Sequence, residues 1–133
     1  MNKIMVFIPM YNCEKQITRV LKQFDNKVSK YINEIVVINN ISTDKSEEKV
    51  LEYAKNNSNN KITILRNHEN YNLGGSHKVA FDYAIKNNYD YLIVLHGDDQ
   101  GDIHDLLEYL DSKEYQKYDA LLGARFLKQS KLS

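Results

Sequence analysis

Short apolar runs separated by stretches of helical periodicity constrain this chain more than any other feature. Ile4-Met5-Val6-Phe7-Ile8, Ile35-Val36-Val37-Ile38 and Tyr91-Leu92-Ile93-Val94-Leu95 are continuous and rich in β-branched residues, the pattern of strands covered on both faces in a parallel sheet. Pro9 follows the first run, and its missing N–H predicts that the strand ends there. Lys61-Ile62-Thr63-Ile64-Leu65 alternates instead, as a strand nearer an edge does. Between the first two strands, Ile17, Val20, Leu21 and Phe24 keep the i, i+3, i+4, i+7 spacing of a helix that buries one face. Asp44 and Glu47 predict a capping box for a second helix running to about Asn56. Gly74-Gly75-Ser76 opens a third helix, in which Val79, Ala80, Tyr83 and Ala84 share a face and which Asn87-Asn88 closes. Ile103, Leu106, Leu107 and Leu110 mark a short amphipathic helix, and Ala120-Leu121-Leu122-Gly123 a last strand. The order βαβαβαβαβ predicts parallel neighbours joined by right-handed crossovers, hence an α/β fold of three layers, α/β/α, around a mainly parallel sheet.

The 133 residues suit one domain with one core, spanning residues 1–133. Eighteen basic and eighteen acidic residues cancel, so no long-range field draws the chain to nucleic acid or anionic lipid, and an anion has to be bound locally. The longest apolar runs, five residues, fall far short of a bilayer span, and the amino terminus lacks the pattern of a secretory signal. Cys13 is the only cysteine, which fits a reducing compartment, and the cytoplasm is the expected location.

Ligands of open parallel sheets bind beyond the carboxyl ends of the strands. Here those positions carry Pro9-Met10-Tyr11-Asn12, Asn39-Asn40-Ile41-Ser42-Thr43-Asp44, His96-Gly97-Asp98-Asp99-Gln100 and, after the last strand, Arg125. Neither G-x-G-x-x-G after the first strand nor a P-loop occurs, so a diphosphate at this edge needs another source of positive charge. A divalent cation held by side-chain oxygens supplies one. His96, Asp98 and Gln100 are spaced by two residues, so in an extended segment they share a face.

Taken together, these clusters resemble family 2 glycosyltransferases, especially the polyprenyl-phosphate-mannose synthase-like branch. The resemblance rests on five motifs in order. Pro9-Met10-Tyr11-Asn12-Cys13-Glu14 is similar to the family's Pro-x-Tyr-Asn-Glu, and Asn39-Asn40-Ile41-Ser42-Thr43-Asp44 to Asp-Asp-Gly-Ser-x-Asp. Asn72-Leu73-Gly74-Gly75-Ser76 is similar to Asn-x-Gly with small residues, His96-Gly97-Asp98-Asp99-Gln100 to Asp-x-Asp-x-Gln, and Gly123-Ala124-Arg125-Phe126 to Gly-[Ser/Thr]-Arg-[Phe/Tyr]. The resemblance implies the Rossmann-like, nucleotide-binding half of a GT-A fold. It further implies that Pro9 and Tyr11 shape the wall around the base, that Asn39 contacts base or ribose, and that Gly97, Asp98 and Arg125 lie against the diphosphate. The implied metal ligands are His96, Asp98 and Gln100, and the implied cofactor is Mn²⁺ or Mg²⁺. The implied substrate is a nucleoside-diphosphate sugar of UDP or GDP type. Its sugar would pass with inversion to a hydroxyl or lipid phosphate, the acceptor being a polyprenyl phosphate or a glycan.

Four positions depart from the pattern. Cys13 stands for an acid, Asn39 and Asn40 for two aspartates, and His96 for the first acid of the metal motif. Each removes a negative charge, and His96 favours Mn²⁺ over the oxygen-seeking Mg²⁺. Family members continue through an acceptor-binding half that contributes the general base. The resemblance therefore implies that the catalytic base lies beyond Ser133, and that the 133 residues are a nucleotide-binding part cut before that half. On that expectation, the exposed edge favours self-association and missing segments hold the chain at the inner face of the membrane. The alternative is a non-catalytic binding or interaction module on the same fold, or an inactive fragment.

Overall fold

A computed structural model describes residues 3–57, 59–67, 73–97, 103–106, 120–121 and 124–128. Its elements are β1 (Ile4–Met10), α1 (Ile17–Lys22), α2 (Asn26–Ser29), β2 (Glu34–Asn39), α3 (Ser46–Asn56), β3 (Lys61–Arg66), α4 (Leu73–Lys86), β4 (Tyr91–Val94), a 3₁₀ turn (Ile103–Leu106), β5 (Ala120–Leu121) and β6 (Ala124–Lys128). The strands form one sheet in the order β3-β2-β1-β4-β6-β5. The first four run parallel, as the unbroken apolar runs predict, and β3 stands at the edge.

Alternation along β1 separates two cores. Ile4, Val6, Ile8 and Met10 face one layer with Ile17, Val20 and Leu21 of α1, Val28 of α2 and Val50 of α3. Met5 and Phe7, with Val36, Ile38, Leu92 and Val94, face Ala80 and Ala84 of α4 on the other side. Each fully buried aliphatic side chain contributes about 1.5–3 kcal/mol, and two filled faces make the three-layer sandwich. Among the described residues no helix is long and apolar enough to cross a membrane.

Five local expectations are corrected. Pro9 lies inside β1, paired in register with Ile38. Its carbonyl accepts the Gly97 N–H at 3.2 Å, and a residue's N–H and C=O leave a strand on the same side. The missing donor therefore faces the stretch beyond Val94, where the β1–β4 ladder has ended, and the strand continues along β2 undisturbed. The last strand is a hairpin rather than a parallel addition, with β6 antiparallel to β4 and β5 antiparallel to β6. Arg125 consequently sits within β6, in register with Val94 and Ala120, rather than after a strand.

At the start of α3 the Asp44/Glu47 capping box is absent. Asp44 does accept the Ser46 N–H (3.0 Å) and the Ser46 hydroxyl, but Glu47 does not return a bond to the cap, because Asn39 and Arg66 hold it. The amphipathic helix expected from Ile103 to Leu110 is a 3₁₀ turn over Ile103–Leu106, with residues 107–110 outside the described residues. The closure of α4 agrees with expectation. Asn88 takes φ 60°, its N–H bonds Ile85 O at 3.2 Å, and the Tyr89 N–H reaches Ala84 O at 3.0 Å, a Schellman termination.

The amino-terminal end of the sheet is pinned by Glu34, which is 2% exposed. Its carboxylate accepts hydroxyls from Tyr83 (2.7 Å), Tyr89 and Thr63, joining β2, β3 and α4. The opposite end carries the polar residues.

Candidate functional site

Chain order turns back at β1, because β2 and β3 add on one side and β4 on the other. This is the switch point where open α/β sheets form a crevice at the strand ends. Pro9 and the half-exposed Tyr11 close the β1 side, while His96 and Gly97 follow β4. A Cβ on Gly97 would meet Pro9 O at 3.1 Å and the side chains of Ile17 and Ile8 at 3.4 Å. Glycine is needed here because two backbones run together. The register of β6 sets the Arg125 backbone beside Val94, two residues before His96. Asp98, Asp99 and Gln100 lie outside the described residues, as do Asn72 and Gly123. Ser133, beyond which the general base is expected, lies outside them too. Among the described residues no group of three or more His, Cys, Asp or Glu is placed to hold a metal.

Beside the crevice, the loops after β1 and β2 are tied to each other. The Asn12 N–H donates to Ser42 Oγ (3.1 Å), and Asn12 Oδ1 accepts the Thr43 N–H (2.8 Å). The Glu14 N–H reaches Asp44 Oδ2 (3.2 Å), and the Cys13 N–H reaches Ser46 Oγ (2.8 Å). Burial alone would raise the Asp44 carboxyl, but the Ser46 hydroxyl and the Ser46 and Glu14 N–H groups draw it below its ordinary value. Two residues in these loops take the left-handed conformation, Asn12 at φ 50° and Ile41 at φ 54°. Asparagine tolerates it, whereas a β-branched residue is strained there.

A groove of about 680 Å³ opens at the ends of β2 and β3, lined by Asn39, Ile41, Ser42, Asp44, Glu47, Glu48, Arg66 and Asn67. Glu47 organises its floor. Its Oε1 accepts Arg66 Nε (2.7 Å) and Asn39 Nδ2 (3.1 Å), and its Oε2 accepts Arg66 Nη2. The Arg66 hydrogen bonds hold the Glu47 carboxyl below its ordinary value, against the opposing effect of burial. Asn39 is fixed at both ends of its amide, since Oδ1 also accepts the Ser42 N–H at 2.9 Å. Asn67 is buried, with Nδ2 bonded to Asn40 Oδ1 (2.9 Å) and Ser76 Oγ (3.2 Å).

The structure thus gathers Pro9, Tyr11, Asn39, His96 and Gly97 at one edge and brings the Arg125 backbone alongside. Glu47, Arg66 and Asn67 were not anticipated as site residues. Arg66 and Asn67 stand at the end of the third strand, so the strand-end rule that selected the other clusters also points to them. Glu47 is identifiable only through its partners.

No curated protein matches the sequence. Among solved structures the chain is similar to S. aureus TarS 1-349 in complex with UDP-GlcNAc, at 22% identity and a TM-score of 0.70, covering 88% of this chain and 32% of that one. It is also similar to the mannosyltransferase PcManGT from Pyrobaculum calidifontis in complex with GDP-Man and Mn²⁺, at 18% identity and a TM-score of 0.63, covering 72% of this chain and 27% of that one. A third likeness is to glucosyl-3-phosphoglycerate synthase from Mycobacterium tuberculosis with Mn²⁺, UDP and glucosyl-3-phosphoglycerate, at 14% identity and a TM-score of 0.56, covering 72% and 33%. The chain therefore spans about a third of the length of these structures, and at such identities the likeness establishes the GT-A fold. The sequence itself goes further: the family model described as Glycosyl transferase family 2 matches residues 5–132, and the chain belongs to that family.

Proposed function

We propose that the chain binds a nucleoside-diphosphate sugar along the carboxyl edge of its sheet and serves the transfer of that sugar, with inversion, to a hydroxyl or a lipid phosphate. The groove at the ends of β2 and β3 carries this reading. It lies one strand from the β1–β4 crevice, so a nucleoside in the groove leads its diphosphate toward His96 and Gly97. The UDP-GlcNAc, GDP-Man and UDP held by the similar structures support a ligand of this class. In our reading the chain sits beside the polyprenyl-phosphate-mannose synthase-like branch, supported by the five ordered motifs, with a polyprenyl phosphate or a glycan as acceptor.

The chain's own residues divide the work. Tyr11 and Asn39 orient the nucleoside, the close approach of Gly97 to Pro9 keeps the crevice narrow, and Arg125 offers a planar donor fork to phosphate oxygens. His96, Asp98 and Gln100 would hold a divalent metal, and one nitrogen among oxygen donors suits Mn²⁺ better than Mg²⁺. When bound, the metal neutralises charge that develops on the diphosphate leaving group. The general base that would take the acceptor's proton is assigned to chain beyond Ser133.

Titration calorimetry of the chain with UDP and GDP, with and without Mn²⁺, tests the proposal. Heat of binding that grows with Mn²⁺ is expected, and no heat in any combination overturns it. Loss of acidic residues at Asn39, Asn40 and His96 favours a second reading, a non-catalytic module on the same fold. That reading predicts no sugar transfer even from a longer chain that continues past Ser133 into an acceptor-binding half and is supplied with nucleotide sugar and acceptor.

A further inference from the structure

The helix pair between β1 and β2 also holds the chain that follows β4. We propose that Gln23 and Asp25 are positioning residues for the diphosphate side of the site: they seat Ile103 and His104, and thereby fix where the stretch opened by His96 and Gly97 rejoins the core. The inference rests on the nucleotide-sugar reading and deepens it.

Two contacts seat the turn. Gln23 closes α1, and its Oε1 accepts the Ile103 N–H at 2.7 Å. Ile103 opens the 3₁₀ turn, and the first N–H groups of a helical turn have no partner within it. Gln23 meets that need where Ile103 is fully buried, in the core that also holds Ile17, Val20 and Leu21. His104 Nε2 lies 2.7 Å from Asp25 Oδ2. An ionised carboxylate only accepts, so this nitrogen carries the proton. The other oxygen, Asp25 Oδ1, accepts the N–H groups of Lys27 (3.0 Å) and Val28 (3.2 Å) at the start of α2. One carboxylate therefore ties α2 to the turn, and the His104 bond, with the α2 N–H groups, holds it below its ordinary value.

α1 reaches the other flank as well. The Gly97 N–H donates to Pro9 O at 3.2 Å, and a Cβ there would stand 3.4 Å from the Ile17 side chain. About 9 Å of helix separates Ile17 from Gln23, whereas the six residue steps from Gly97 to Ile103 can reach about 20 Å. Covalent connection alone thus leaves the place of Ile103 open, and Gln23 and Asp25 settle it. Asp98, assigned to the diphosphate, lies in sequence between two ends that the α1–α2 unit holds. Gln23 and Asp25 act through the backbone they hold, which makes them positioning rather than catalytic residues. The alternative is a corner that only adds stability by joining α1 and α2 to the turn.

Titrating UDP, GDP, uridine and guanosine, all with Mn²⁺, into the wild type, Gln23→Met, Gln23→Glu and His104→Ala separates the two. Calorimetry suits the diphosphates and ligand-observed NMR the weaker nucleosides, with thermal melts alongside. In the wild type the diphosphate should bind tighter than its own nucleoside. Gln23→Met keeps the length of the side chain and loses the acceptor. It should weaken UDP or GDP roughly tenfold, the usual effect of removing a group that orients a site, and leave the nucleoside unchanged. Gln23→Glu keeps an acceptor for the Ile103 N–H and should stay close to wild type. His104→Ala, at a position 35% exposed, should weaken the diphosphate in the same selective way and supplies the test if Gln23→Met folds poorly. Asp25 itself is left in place because it also caps α2. Diphosphate affinity unchanged in the folded variants, or lost in equal measure with that of the nucleoside, overturns the inference and leaves the nucleotide-sugar reading intact. A wild type that binds none of the four ligands, or gains nothing from the diphosphate, overturns both.

Discussion

Ile41 is the residue at which sequence and conformation conflict most openly. The resemblance puts glycine at this position, and the backbone keeps the glycine-like φ of 54° although the side chain is β-branched. The neighbours impose that geometry, with the Ser42 N–H bonded to Asn39 Oδ1 and the Asn12 side chain gripping Thr43. Ile41 is 41% exposed, so burial offsets little of the strain. Ile41→Gly should therefore stabilise the chain by about 1 kcal/mol, the left-handed penalty of an L-residue less the extra chain entropy of glycine, seen as a rise of a few degrees in Tm by scanning calorimetry. A fall in Tm would mean that the isoleucine side chain itself holds the loop. Legibility in the sequence divides along similar lines. Tyr11, Asn39 and His96 were identifiable because they directly follow apolar runs. The role of Glu47 was not, since its local context, three residues after Asp44, mimics a capping box and only the fold brings Arg66 to it.

At the scale of elements, the buried apolar runs specified β1, β2 and β4 because each is covered on both faces, and the alternation of Lys61 to Leu65 specified β3 at the edge. The hairpin was less legible, since a two-residue β5 leaves almost no alternation to read. Pro9 was misjudged for a related reason: whether a proline ends a strand depends on which neighbour its nitrogen faces. The Glu34 pin had no local signature at all, being assembled from Thr63, Tyr83 and Tyr89, far along the chain. Its energetics are testable through pH. Burial works to raise the Glu34 carboxyl, but hydroxyls from Thr63, Tyr89 and Tyr83 and the charge of Lys61 outweigh it, and the folded value lies below the ordinary 4.5. A group depressed in this way contributes stability above its unfolded pKa and loses that contribution as pH falls through the folded value. Wild type should thus lose stability to urea below about pH 4.5 more steeply than Glu34→Gln. At neutral pH the variant should be less stable by about 1–3 kcal/mol, the usual worth of hydrogen bonds to a buried charge. Parallel pH profiles for the two proteins would remove Glu34 from this account. On the alkaline side, burial and the neighbouring carboxylate push Tyr89 well above its ordinary value, so its contribution to stability is fully present below about pH 10, the value of an unfolded tyrosine, and is lost as pH rises toward the folded value.

Across the whole molecule, the sheet separates a structural end from a functional one. Glu34 and its tyrosines lock the amino-terminal end, while the carboxyl end carries the cross-tied loops, the groove and the crevice. The middle is the stable part: β1 and β2 are buried along nearly their full length, whereas β3 is half-buried at the edge. Local opening follows such differences in burial and pairing. Amide hydrogen exchange should accordingly be slowest at Val6–Ile8 and Ile35–Ile38, faster along β3, and fast in the loops after β1 and β2. If nucleotide enters as proposed, UDP or GDP with Mn²⁺ should slow exchange in residues 11–16 and 40–47 and at Arg66 and Asn67. Amides around Glu34 and Tyr89, at the opposite end of the strands, should not change, since coupling between distant sites needs an element with two arrangements. Protection concentrated at the Glu34 end instead would relocate the ligand away from the strand ends and remove the topological argument on which the proposed function stands.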